Sequence, residues 1–101
     1  MTESVYYLYL LQCDSDILYT GIALNPAQRL KQHQSKKPPG AKFTRRFKHI
    51  ELVYHVSVGS RSKAQNLEYH VKSLSKKNKT QIIEQQFSLS ELRHFMGIKD
   101  A

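Results

Sequence analysis

Six side chains in this 101-residue sequence carry groups suited to handling a phosphate, at spacings that strands and helices can bring together. Tyr9 and Tyr19 offer phenol hydroxyls, Arg29 a guanidinium, His33 an imidazole, Glu68 a carboxylate and Lys72 an ammonium. A guanidinium grips phosphate oxygens in a fork and stabilises negative charge as it develops. A tyrosine hydroxyl can orient a water, or deprotonate it where positive charge lies nearby. Arg29 and His33 are four residues apart and share a face if their segment is helical, and Glu68 and Lys72 repeat that relation. Each residue also has an ordinary use. The tyrosines fit strand aromatics of a core, Arg29 a solvated helix charge and His33 a surface histidine. Glu68 and Lys72 fit an exposed pair contributing only ~0.3–0.5 kcal/mol. Position in the fold separates these uses.

The elements that would do the positioning are legible. Ser4–Gln12 (SVYYLYLLQ) is apolar at both parities, which predicts a central strand covered on both faces. CDSD supplies turn chemistry, and ILYTGI (Ile17–Ile22) is a second strand, so the two form a hairpin. A three-residue DSD loop would pair Cys13 with Ile17, Leu11 with Tyr19 and Tyr9 with Gly21. Tyr9 and Tyr19 then become diagonal neighbours on one face, and Gly21 leaves room beside Tyr9 for a close approach. A slip of one residue would separate the tyrosines.

LNPAQRLKQHQ predicts a helix with Asn25 as cap and Pro26 in first position, ended before KKPPG. Lys36–Lys48 is then a loop. In His49–Val58, Ile50, Leu52, Tyr54, Val56 and Val58 share one parity, as in a third strand, which most simply joins the free edge of the first. Ala64, Leu67, Val71 and Leu74 have helical spacing, with Ser60 or Ser62 as cap. Glu68 sits at the margin of that apolar stripe. A helix over Lys76–Gln86 follows, with Ile82 and Ile83 inward, then a short one with a Ser88–Glu91 capping box, stopped at Gly97. The order is β-β-α-β-α-α-α: an α+β fold with a small antiparallel sheet flanked by helices.

The chain length favours one domain, residues 1–101. Charge is uneven. Sixteen Lys and Arg against eight Asp and Glu give a net charge of +8 and a pI near 9.8. Residues 29–48 hold eight basic residues and no acid, and six more basic residues lie between Arg61 and Lys79. Clustered positive charge draws phosphate backbones through counterion release; a solvated basic surface is the alternative. Lys36, Lys37, Lys42, Arg45 and Arg46, with Lys72, are the expected nucleic-acid contacts. In KFTRRFK, Phe43 and Phe47 could stack on bases or dock on the core. No apolar run approaches the ~18 residues of a membrane span, and MTESVYY lacks a basic signal-peptide start. The single Cys13 cannot form an internal disulfide, so a cytoplasmic location without membrane contact is expected. Cys13 has no nearby base and is given no catalytic role, and the five histidines lack zinc-ligand spacing.

Taken in order, YLYLL (Tyr7–Leu11), LYTGI (Leu18–Ile22), RLKQH (Arg29–His33), GAKFT (Gly40–Thr44), ELVY (Glu51–Tyr54) and AQNLEYHVKSL (Ala64–Leu74) resemble the GIY-YIG nuclease superfamily, most of all its short stand-alone bacterial members. The resemblance covers residues 5–75. It implies a three-stranded antiparallel sheet and metal-assisted phosphodiester hydrolysis. Position by position, it puts the motif tyrosines on Tyr9 and Tyr19, the motif glycine on Gly21, the helix arginine on Arg29 and the metal-binding glutamate on Glu68. His33 and Lys72 match basic positions of the most similar subgroup. It implies Tyr19 as the base, with Tyr9 as a positioning hydroxyl. Tyr7 and Leu8 replace the usual Gly-Ile, and Thr20 sits between Tyr19 and Gly21. Mg²⁺ is commonly held by one or two carboxylates plus phosphate and water, so Mg²⁺ or Mn²⁺ on Glu68 is the expected cofactor.

The expected function is a metal-dependent endonuclease acting on DNA, with a role in repair or processing; RNA is the alternative substrate. The rival readings are a nucleic-acid-binding module of the same fold with little or no cleavage, and a protein-interaction role in which a partner supplies specificity.

Overall fold

The computed structural model describes residues 4–35 and 46–98. Strands β1 (Tyr6–Cys13), β2 (Ile17–Ala23) and β3 (Ile50–Gly59) form one antiparallel sheet in the order β2-β1-β3. Helix α1 (Pro26–Ser35) lies between β2 and β3 in the chain, and α2 (Arg61–Lys72), α3 (Lys76–Gln85) and α4 (Leu89–Phe95) follow β3. This is the α+β order expected from the sequence.

β1 is central because it has an apolar set for each face. Leu8 and Leu10 join Tyr54, Leu67, Val71, Ile82 and Leu92 in a core under α2–α4. Tyr9, Leu11 and Cys13 join Phe47 and Ile50 in a second core, with Leu30 of α1 packed against it. β3 departs from its expected pattern. Five alternating apolar residues suggest one buried face, yet Ile50 and Leu52 pack into the second core while Tyr54, Val56 and Val58 pack into the first. Leu10 pairs with Tyr54 but Leu11 with Leu52, so Val53 has no opposite residue on β1. A bulge of one residue moves every later side chain to the other face.

The hairpin closes as the DSD loop requires, with Cys13 opposite Ile17, Leu11 opposite Tyr19 and Tyr9 opposite Gly21. Asp14 takes the left-handed conformation at φ 54, which a short polar side chain tolerates. Its carboxylate accepts the backbone N–H of Lys48 at 3.1 Å and of His49 at 2.9 Å, and its own N–H donates to the His49 carbonyl at 2.7 Å. The hairpin turn thereby holds the entrance to β3. Asn25 Oδ1 accepts from the Gln28 N–H and starts α1. Ser60 caps α2 and Ser75 caps α3, and Ser88 and Glu91 form the capping box of α4. Gly97, at φ +73, follows the end of α4. The Tyr54 hydroxyl donates to the Phe87 carbonyl at 2.7 Å, fastening the α3–α4 connection to the sheet. Among the described residues, no helix is long and apolar enough to cross a membrane.

Candidate functional site

The hairpin register fixes two members of the site. Tyr9 and Tyr19 lie diagonally on the α1 face of the sheet, with ring centroids 6.4 Å apart. Room for the Tyr9 ring comes from Gly21. A Cβ at position 21 would lie 2.5 Å from the Tyr9 hydroxyl oxygen and 2.6 Å from Cζ. The space beside Gly21 is therefore filled by Tyr9 itself, where the sequence suggested an opening for something else to approach. Tyr9 is 1% exposed; Tyr19 is only partly buried and so the more accessible of the two residues.

α1 brings the next two. His33, fully buried, sits with Nε2 3.1 Å from the Tyr9 hydroxyl and its ring edge-on to Tyr19 at 5.2 Å. The surface reading of His33 is thus overturned: α1 sets His33 down onto the two tyrosines, one turn after Arg29 on the same face. Arg29 is hydrogen-bonded to the Tyr9 hydroxyl, and its Nη1 donates to Gln32 Oε1 at 2.9 Å. Arg29, Gln28, Gln32 and Tyr6 help line a surface pocket of about 240 Å³.

A guanidinium only donates, so the Tyr9 oxygen accepts from Arg29. Its second bond is shared with His33 Nε2, and the imidazole tautomer sets which of the two donates. Burial first, and the Arg29 charge second, push His33 down to about 4, so it is neutral at pH 7. Burial and the neighbouring Tyr19 push the Tyr9 phenol up to about 12; Arg29 pulls it the other way and Glu68 adds a smaller upward push. Tyr9 is held as a neutral phenol, poorly suited to serve as a base.

Glu68 comes from the opposite side of the sheet, on α2. Its side chain is 21% exposed and pairs with Lys72 Nζ at 3.4 Å, while its charge reaches Tyr9. Lys72 is itself 56% exposed. Tyr9, Tyr19, Arg29 and His33 are thus in mutual contact through Tyr9 and His33, with Glu68 within electrostatic reach. Among the described residues no three His, Cys, Asp or Glu side chains gather, and Glu68 is the carboxylate whose charge acts on Tyr9. A single carboxylate suits a hard cation of the Mg²⁺ type, which takes few protein ligands and completes its shell with phosphate and water.

Of the expected nucleic-acid contacts, Lys36, Lys37, Lys42 and Arg45 lie outside the described residues, as does Phe43. Arg46 is exposed, with its guanidinium 5.0 Å from the centre of the Phe47 ring. Phe47 is buried in the second core, so for this ring docking prevails over base stacking. Cys13 is fully buried and its thiol is pushed up by burial, as befits a packing residue. Gln32 was missed. Its only signal was its place three residues after Arg29, one turn along the same helix.

A family model described as the GIY-YIG catalytic domain matches residues 5–81. A UPF0213 protein from Yersinia enterocolitica is 46% identical over 86 residues, covering 85% of this chain and 87% of that protein. One from Yersinia pestis is 47% identical over 83 residues, 82% of this chain and 85% of that protein. The solution NMR structure of a UPF0213 protein from Bacillus halodurans aligns with TM-score 0.51 and 32% identity, covering 94% of this chain and 99% of that one.

Proposed function

Because the chain belongs to the GIY-YIG catalytic-domain family, we propose that it is a divalent-metal-dependent endonuclease hydrolysing phosphodiester bonds in DNA. The observation that carries this reading is the convergence on one hydroxyl. Arg29 and His33 both bond Tyr9, Tyr19 packs against His33, and Glu68 lies within reach of the same group.

In this reading Arg29, kept in place by Gln32, binds the phosphate oxygens and stabilises charge that develops on them. Tyr9 cannot leave: its ring fills the space over Gly21 and its hydroxyl is bonded on both sides. It fixes the positions of Arg29 and His33. Tyr19, the more accessible tyrosine, orients the attacking water and, as the phenolate left once its own proton has gone to solvent, takes the water's proton. Glu68 would hold Mg²⁺ or Mn²⁺, which when bound supplies charge neutralisation at the phosphate and stabilisation of the leaving oxygen. Arg46 and Lys72, both exposed, add positive charge for the phosphate backbone.

The Glu68–Lys72 ion pair supports a second reading, a binding module with weak cleavage, since the ammonium occupies the carboxylate that a cation would need. Plasmid nicking separates the two. The nuclease reading expects conversion of supercoiled to open-circular DNA in Mg²⁺ or Mn²⁺, abolished by chelator. Salt-sensitive DNA binding with no nicking in either metal would favour the module.

A further inference from the structure

Tyr69 is 66% exposed, one of the few large apolar side chains at the surface among the described residues. Its place on α2 gives that exposure a use. At 100° per residue, the buried line of Ala64, Leu67 and Val71 sets one side of the helix. Turning away from it, Glu68 comes first, then Arg61, Lys72 and Gln65, and then Tyr69 on the outer surface. Glu68 is the residue of this helix whose charge acts on Tyr9. The flank from Glu68 to Tyr69 therefore leads outward from the site. Two cations lie on that flank, Arg61 and Lys72, the second paired with Glu68 at 3.4 Å, and α3 follows with Lys76, Lys77 and Lys79, a charge that suits a polyanion. The Tyr69 ring meets the His70 ring nearly edge-on, with centroids 5.6 Å apart and planes at 68°. That contact steadies the phenol, and its exposure leaves ring area for another flat partner.

We propose that Tyr69 stacks on a nucleobase of the substrate strand as it leaves the site, with Arg61 and Lys72 on the flanking phosphates. This rests on the reading of the tyrosine–Arg29–Glu68 cluster as a nucleic-acid site and adds the chemistry of the adjoining nucleotide. The base must be unpaired, because a base inside a duplex has both faces covered by its neighbours. Aromatic rings beside cations bind single strands in this way, with little demand on sequence.

The chain contains no tryptophan, so Tyr69→Trp makes a single fluorescent reporter at the proposed contact. The probe is an oligothymidylate of about 12 nucleotides, in chelator so that no cleavage occurs, beside a blunt duplex of the same length. The expected results are quenching of the tryptophan by the single strand, about tenfold weaker single-strand binding in Tyr69→Ala, and recovery to within about twofold in Tyr69→Phe. Duplex binding should change less than about twofold. Single-strand binding unchanged in Tyr69→Ala, or an equal loss for single strand and duplex, would overturn the proposal, as would binding of neither probe by the wild type. Tyr69-dependent single-strand binding by a protein that nicks no plasmid would support the contact while removing the nuclease reading.

Discussion

Replacing Gly21 with alanine adds one methyl group at the most crowded point of the site. The new Cβ would stand 2.6 Å from Tyr9 Cζ, against ~3.5 Å for an ordinary carbon–carbon contact, so the ring must retreat by about 1 Å. It has little freedom to do so, being fully buried and bonded to His33 at 3.1 Å. Gly21 does not have a positive φ, so alanine costs nothing in backbone strain and the effect is steric. Overpacking contributes about 1–3 kcal/mol, and loss of the buried hydrogen bond about 1 kcal/mol more. A total of roughly 2–4 kcal/mol should lower Tm by about 10 °C or more in a domain of this size. Cleavage should fall about a hundredfold, since Arg29 and His33 are placed through Tyr9. Thermal unfolding followed by circular dichroism, with plasmid nicking on the same sample, reads both. A variant with Tm within about 2 °C of wild type and undiminished nicking would refute the view that Gly21 exists to seat Tyr9.

Two further predictions concern stability. His33 is depressed in the folded state from 6.5 to about 4, so the unfolded chain takes up its proton first as pH falls. The neutral imidazole's contribution is complete above pH 6.5, is lost as pH drops toward 4, and amounts to roughly 3 kcal/mol at most. Urea unfolding at pH 7 and pH 4 should show a larger loss for wild type than for His33→Gln; equal losses would place the acid sensitivity elsewhere. Ser88→Ala removes both hydroxyl and capping box from α4, and should cost about 1 kcal/mol with nicking unchanged; a loss of nicking would mean α4 positions the site.

The hairpin register was legible because side-chain alternation and a short Asp-Ser-Asp turn leave one pairing that buries Leu11 and Cys13 on the α1 face. The helices were legible from spacing and from serine caps. The face change in β3 was not, since a bulge has no composition of its own: Val53 looks like any strand valine. The burial of His33 was not legible, because it depends on what its helix packs against, and the sequence left a site residue and a surface histidine both open. The Asp14 clamp on Lys48 and His49 and the Tyr9–His33 bond join residues more than twenty positions apart, beyond the reach of local spacing. Arg29 and Glu68 could be named from their motifs, but their common bearing on the Tyr9 hydroxyl required the fold.

The most direct test of the central claim compares plasmid nicking in Mg²⁺ or Mn²⁺ by wild type, Arg29→Ala and Glu68→Ala, each verified as folded. The account predicts nicking by wild type and a loss of about a hundredfold or more in both variants, the scale of removing one group that stabilises transition-state charge. Equal nicking by all three would contradict it.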